Sequence, residues 1–219
     1  MNKNTLKKAL ESRSINNLIH FTETVNLRGI LQWEWIYSRE QLETMKELKS
    51  PISQFNDKVR LDVHRDYVNL SISKPNGFLL RKFKERINEP WIHWCIIKLN
   101  PELLYNSEYL FSVTNAASKA VKNKYPLGSD KKSFDKLFLN SLTIATSRST
   151  RTMTRKSLKD NETTDSQAEV LVKEKISVDF IKSICFENAE DEASARAAFR
   201  TLKLPVNKLT VDENIFNYS

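Results

Sequence analysis

Apolar and polar residues alternate most cleanly between Tyr67 and Ser73. Val68, Leu70 and Ile72 fall on one side, and Tyr67, Asn69, Ser71 and Ser73 on the other. Period-two alternation of this kind marks a strand with one buried face and one face turned to water or to a site. Trp91–Leu99 is apolar on both faces and predicts a central strand. Shorter strand signals lie at Leu18–Thr22, at Leu110–Val113, in the run that begins at Glu169, at Phe180–Phe186 and at Val206–Val211. Helices are predicted over residues 3–13, Glu23–Leu31, Arg39–Lys49, Phe78–Ile87, Thr114 to Asn123, 130–139 and Glu190–Leu202. Thr22 or Thr24 is placed to cap the second of these, and Pro51 closes the third. Pro75-Asn76-Gly77 reads as a turn. Residues 50–66 have no period, and the Thr-, Ser- and Arg-rich segment 140–165 reads as a long mobile loop. Strands and helices alternate irregularly, which predicts an α+β fold with a mixed sheet in a single domain over residues 1–219.

Composition narrows the partners. The chain has 219 residues with 35 Lys and Arg against 27 Asp and Glu, a net charge of +8. That balance favours a polyanionic partner weakly, and its distribution says more. Arg148, Arg151, Arg155, Lys156 and Lys159 stand in a stretch without an acid, whereas Glu187, Glu190, Asp191 and Glu192 cluster later. Three glycines and the absence of G-x-G-x-x-G or Walker A spacing disfavour a glycine-rich phosphate loop. Cys95 and Cys185 sit inside apolar runs, so buried free thiols and a reducing cytoplasm are expected. Three scattered His and two Cys offer no zinc spacing, and no metal is expected. The basic N-terminus has no apolar run after it and does not read as a secretory signal.

Three polar groups stand in apolar strand contexts: His20 with Thr22, the Tyr67 and Asn69 face, and Glu169. Alone, each has a bland reading. His20 reads as a core histidine, Thr22 as a helix cap, Glu169 as a solvated strand carboxylate. Only a fold brings such distant positions together. A metal-dependent nuclease is a poor match, because the lysine nearest to Glu169 is Lys173. At about 3.3 Å per strand residue the two lie roughly 13 Å apart, too far to share a metal and a phosphate.

The ordered set His20-Phe21-Thr22, Asn26-Leu27-Arg28-Gly29-Ile30-Leu31, Asp66-Tyr67-Val68 and Gln167-Ala168-Glu169-Val170-Leu171-Val172 resembles the DarT family, bacterial toxins that ADP-ribosylate bases in single-stranded DNA. Asn56–Asp62 and Leu70–Asn76 look closer to the branch called DarT1. The resemblance spans residues 18–186. It implies an ADP-ribosyltransferase fold, two packed mixed or antiparallel sheets with flanking helices around an NAD cleft, and NAD as ADP-ribose donor. It implies that Glu169 is the catalytic glutamate, and that His20, Phe21, Thr22, Gly29, Tyr37 and Arg39 contact NAD. The family's catalytic arginine falls in the loop before Asp66. Arg60 matches first and Arg65 second, with Arg39 a third candidate. A macrodomain antitoxin of the DarG type is the implied partner.

The chemistry suits these residue types. Nicotinamide leaves ribose through an oxocarbenium-like state, and a carboxylate at the ribose 2′-hydroxyl stabilises that developing charge. Arg148, Arg151, Arg155 and Lys156 lie just before Glu169 and suit contact with DNA phosphates. A duplex would hide acceptor atoms in the stack, which favours a single strand. An ADP-ribosyltransferase acting on RNA or protein, and a non-catalytic nucleic-acid-binding module, are the alternatives.

Overall fold

The computed structural model describes residues 1–47, 64–86, 92–118, 121, 124–145 and 149–217. Helix α1 (Lys3–Ser12) leads into β1 (Leu18–Glu23), α2 (Thr24–Trp33), the short β2 (Trp35–Tyr37), α3 (Arg39–Glu47) and β3 (Tyr67–Ile72). Next come α4 (Gly77–Arg86), β4 (Trp94–Leu99), β5 (Tyr109–Ser112), α5 (Lys131–Lys136), β6 (Ser141–Ala145) and β7 (Thr150–Thr154). The chain continues through β8 (Glu169–Lys173), β9 (Lys175–Ser177), β10 (Ile181–Phe186), α6 (Ala189–Thr201) and β11 (Leu209–Val211). Short polar side chains start several helices by taking backbone N–H groups that lack a helical partner. Asn2 accepts from Thr5 N at 2.9 Å, and Asn188 accepts from Asp191 N at 2.9 Å. The turn expected at residues 75–77 is itself such a start, because Asn76 accepts from Leu79 N at 3.0 Å and opens α4.

Seven strands form one mixed sheet in the order β11-β10-β4-β1-β3-β8-β5, with β10 and β11 parallel and every other pair antiparallel. The seam between β1 and β3 decides the shape. These strands pair only at Leu18–Ile72 and Ile19–Ser71, whereas β1 pairs with β4 along its whole length. Beyond the seam β1 and β3 part, so the sheet divides into β11-β10-β4-β1 and β3-β8-β5. The two sheets expected above are these two halves, joined at one end.

Alternation sorts the side chains to either face. Leu18, Cys95, Ile97, Leu99, Ile184 and Phe186 join the main core together with buried residues of α1, α2, α5 and α6. Ile19, Ile96, Trp94 and Cys185 point the other way, against Leu80 and Phe83 of α4 and Phe216. Cys95 and Cys185 are free and fully buried on opposite faces, as expected. Burial holds the Cys95 thiol far above the ordinary thiol range.

Four local expectations change. The described residues of the segment 140–165 do not form the long mobile loop expected there. β6 and β7 pair over five positions, from Ser141–Thr154 to Ala145–Thr150, and the segment after them is pinned by hydrogen bonds. Thr164 donates from its N to Leu137 O at 2.8 Å and from its hydroxyl to Leu139 O at 2.6 Å. The β-branched Thr and the small polar residues that resemble a loop in sequence also suit a two-stranded ribbon. Thr114–Ser118 is turn rather than helix. Thr22 does not cap α2, since it lies within β1 and its hydroxyl accepts Asn26 Nδ2 at 3.0 Å. The last strand is shorter than expected, Leu209–Val211, while β2 and β9 add an antiparallel ribbon that no alternation announces.

Candidate active site

A cavity opens where β1 and β3 part. About 540 Å³ in volume, it lies within the usual range for small-molecule sites, roughly 300–1,000 Å³. From β1 it takes His20, Phe21 and Thr22. From the β2 region it takes the rings of Trp33, Trp35 and Tyr37, then Arg39 at the start of α3. Tyr67, Asn69 and Ser71 enter from β3, and Gln167 and Glu169 from the start of β8. The α4 side is closed by Phe83, whose ring stacks on Trp94 at 6.2 Å and 11°, with Phe21 tilted against both at 6.1 Å.

The register explains why Glu169 looks inward. Asn69 pairs with Leu171 and Leu70 with Val170. Glu169, two residues from Leu171, therefore shares the face of Tyr67, Asn69 and Ser71, the polar face read from the alternation of β3. Its carboxylate is 4% exposed. A charge that deep needs donors, and two are supplied by the turn after β5. Ala116 N donates to Oε2 at 2.8 Å, and Asn115 Nδ2 donates to Oε1 at 3.3 Å. Sequence reasoning missed this clamp, because one of its arms is a backbone N–H.

Across the split, His20 Nδ1 lies 3.2 Å from the carbonyl oxygen of Asn69, so the ring spans from β1 to β3. Thr22 and Asn26 are buried and bonded to each other. Tyr37 meets Trp33 edge to face at 6.3 Å. Gly29 is on α2 and is not among the residues lining the cavity. Glu23, at the C-terminal end of β1, is 2% exposed, and its Oε2 has no hydrogen-bond partner among the described residues. Burial pushes its pKa up.

Of the three arginine candidates, Arg60 lies outside the described residues. Arg39 lines the cavity and donates from Nε to Glu43 Oε1 at 2.9 Å. Arg65 reaches the other oxygen of Glu43 from the start of β3 but does not line the cavity. The hydrogen bond from Arg39, aided by the charges of both arginines, holds the Glu43 carboxyl below its ordinary range.

The basic run before Glu169 is tied inward in part. Arg151 Nη2 donates to Asp165 Oδ2 at 2.7 Å, and Asp165 is 1% exposed. Arg155 donates to the carbonyls of Glu162 and Lys159 and lies over Phe138, 5.5 Å from its ring centre. Lys156 is exposed, and Arg148 lies outside the described residues. Among the described residues, no group of three or more His, Cys, Asp and Glu is placed to hold a metal ion, and no helix is long and apolar enough to cross a membrane.

A buried glutamate, a strand histidine and an aromatic wall are gathered in a cleft between two sheet halves, and comparison with known proteins assigns this arrangement to the ADP-ribosyltransferase fold. A family model described as "ssDNA thymidine ADP-ribosyltransferase, DarT" matches residues 19–217. The chain belongs to the DarT family, and it is an NAD-dependent ADP-ribosyltransferase of single-stranded DNA. The fold matches Thermus sp. 2.9 DarT in complex with NAD+ at a TM-score of 0.62 and 13% identity, covering 92% of this chain and 98% of that one. The same protein in complex with ADP-ribosylated ssDNA matches at 0.62 and 11%, covering 93% and 97%. Thermosipho africanus DarTG in complex with ADP-ribose matches at 0.53 and 15%, covering 92% of this chain and 51% of that chain. No curated protein sequence matches the chain at a significant level.

Proposed function

We propose that the chain acts as one domain in which Glu169 is the catalytic carboxylate for transfer of ADP-ribose to a base of single-stranded DNA. The observation that carries this reading is the clamp on Glu169. Two donors fix a buried carboxylate in the same cavity as His20 and Thr22, which come from the far end of the chain. In the reaction, the bond from ribose C1′ to the nicotinamide nitrogen breaks, and the leaving nicotinamide takes its electron pair. A nitrogen of the acceptor base then bonds to C1′, and its proton passes to solvent water.

Glu169 would accept the ribose 2′-hydroxyl and offset the positive charge that grows at C1′. A fixed carboxylate needs little reorganisation as that charge appears. His20, Phe21, Thr22 and Tyr37 would orient the donor, a contribution of proximity rather than of proton transfer. Arg39 fits the pyrophosphate, since it reaches the cavity and its charge is permanent. Arg60 remains the assignment for the catalytic arginine. Lys156, exposed beyond the end of β7, and Arg148 are the residues of the basic run proposed for phosphate contact, and Arg151 and Arg155 join them only with the charge their internal bonds leave over. The biological reading is a toxin held in check by a macrodomain antitoxin in the cytoplasm.

Incubating the protein with NAD labelled in the adenosine moiety and with single-stranded oligonucleotides of each base tests the proposal. Label is expected on DNA with release of nicotinamide. Label confined to RNA or protein rejects the substrate class.

A further inference from the structure

Helix α4 turns an aromatic side chain outward beside the cavity. Phe78 is 56% exposed, yet it lines the same cavity as His20 and Glu169. The apolar face of the helix is complete without it. Leu80 and Phe83 are buried against Ile19, Trp94 and Ile96. Helical spacing sets Arg81 and Lys82, three and four residues further on, beside Phe78 on the outer surface. Both are exposed, and neither has an ion-pair partner among the described residues. Their neighbours on the helix are engaged: Lys84 pairs with Glu187 at 2.5 Å, and the Arg86 guanidinium sits 5.0 Å from the Phe83 ring centre.

We propose that this face of α4 binds the single-stranded DNA acceptor, with Phe78 stacking an unpaired base beside the cavity and Arg81 and Lys82 contacting phosphates of the same strand. The proposal rests on the reading of single-stranded DNA as acceptor. An exposed aromatic flanked by cations is the arrangement that binds single strands without reading sequence, because every base has a stacking face. The adenine of NAD is the competing occupant. The placement of charge favours DNA. Lys82 lines the cavity, but Arg81 does not, so the positive surface runs outward beyond it. A strand longer than the cavity can follow that surface, whereas a dinucleotide held inside cannot.

The test measures binding of a fluorescent single-stranded oligonucleotide to the full chain by anisotropy. NAD binding is followed in parallel as a rise in Tm. Phe78→Ala is expected to weaken oligonucleotide binding about tenfold, and Phe78→Trp to restore it, since stacking needs only an aromatic face. Arg81→Gln with Lys82→Gln is expected to reduce the slope of log affinity against log salt by about 1.4, at roughly 0.7 per phosphate contact on a single strand. The NAD-induced Tm rise stays unchanged in each variant. Unchanged oligonucleotide affinity in Phe78→Ala overturns the proposal. Loss of the NAD-induced Tm rise overturns it too, and places Phe78 on the adenine. Because binding is read without transfer, a wild type that binds DNA but modifies none overturns the proposed function alone.

Discussion

Glu169 Oε2 accepts the backbone N–H of Ala116 at 2.8 Å, while the side chain of the neighbouring Asn115 reaches Oε1 at 3.3 Å. The carboxylate proposed as catalytic is thus aimed by the turn after β5. Asn115→Ala is expected to lower kcat about three- to tenfold, the worth of one typical hydrogen bond at roughly 1 kcal/mol. The KM for NAD should barely move, because the Ala116 arm remains, whereas Tm should fall by about 2–4 °C as the Ala117 N–H loses Asn115 Oδ1, its acceptor at 2.9 Å. A rise in KM at constant kcat would instead make Asn115 a donor-binding residue.

His20 spans the gap between β1 and β3 through Nδ1 and the Asn69 carbonyl, 3.2 Å apart. His20→Ala should weaken NAD binding about three- to tenfold in calorimetry, the loss of one positioning contact. Retained NAD affinity would show that the ring is packing rather than positioning.

Arg151 and Lys156, equivalent in a reading of charge alone, should separate in a melting experiment without DNA. Arg151 pairs with Asp165, which is 1% exposed, whereas Lys156 is exposed. Removing Arg151 leaves a buried carboxylate short of a donor. Since Arg151 is itself 44% exposed, water softens the loss to about 1 kcal/mol, or about 2–4 °C in Tm for a chain of this size. Lys156→Ala should leave Tm unchanged. Equal Tm values for the two variants would remove the structural role of Arg151.

Glu23 gives a dependence on pH. Its pKa is raised in the folded chain by burial, so the folded form holds the proton to higher pH than the unfolded form does. Stability therefore falls as pH rises from the ordinary carboxylate value of 4.5 through the raised one. Glu23→Gln removes that ionisation. The variant and the wild type should differ least below pH 4.5, with the variant the more stable at pH 7. A wild type that melts higher at pH 7 would show that the carboxylate has a partner after all.

Much of this site was legible before the fold. The alternation of Tyr67–Ser73 put Asn69 on a polar face, and the sheet register sets Glu169 on that same face. His20, Thr22, Tyr37 and Arg39 all reach the cavity, while Gly29 does not line it. The clamp on Glu169 was not legible, because a backbone N–H carries no residue type. Nor was the pairing of Arg151 with Asp165, since charges at that spacing meet only once the β6–β7 ribbon has formed. That ribbon was hidden because its threonines and serines suit loops and exposed strands alike. Phe78 is an ordinary helix position in the sequence, and only its exposure beside the cavity marks it.

The most direct measurement is transfer of labelled ADP-ribose to a single-stranded oligonucleotide by wild type and by Glu169→Gln. The glutamine keeps the size of the side chain and an oxygen for the Ala116 N–H, while its amide nitrogen faces Asn115 Nδ2 and forfeits that bond, so the variant should melt within a few degrees of wild type and still bind NAD. Label is expected on DNA with the wild type, with a loss of at least about a hundredfold in the variant, the scale of removing one preorganised electrostatic group. Transfer by Glu169→Gln at the wild-type rate would contradict the assignment of Glu169.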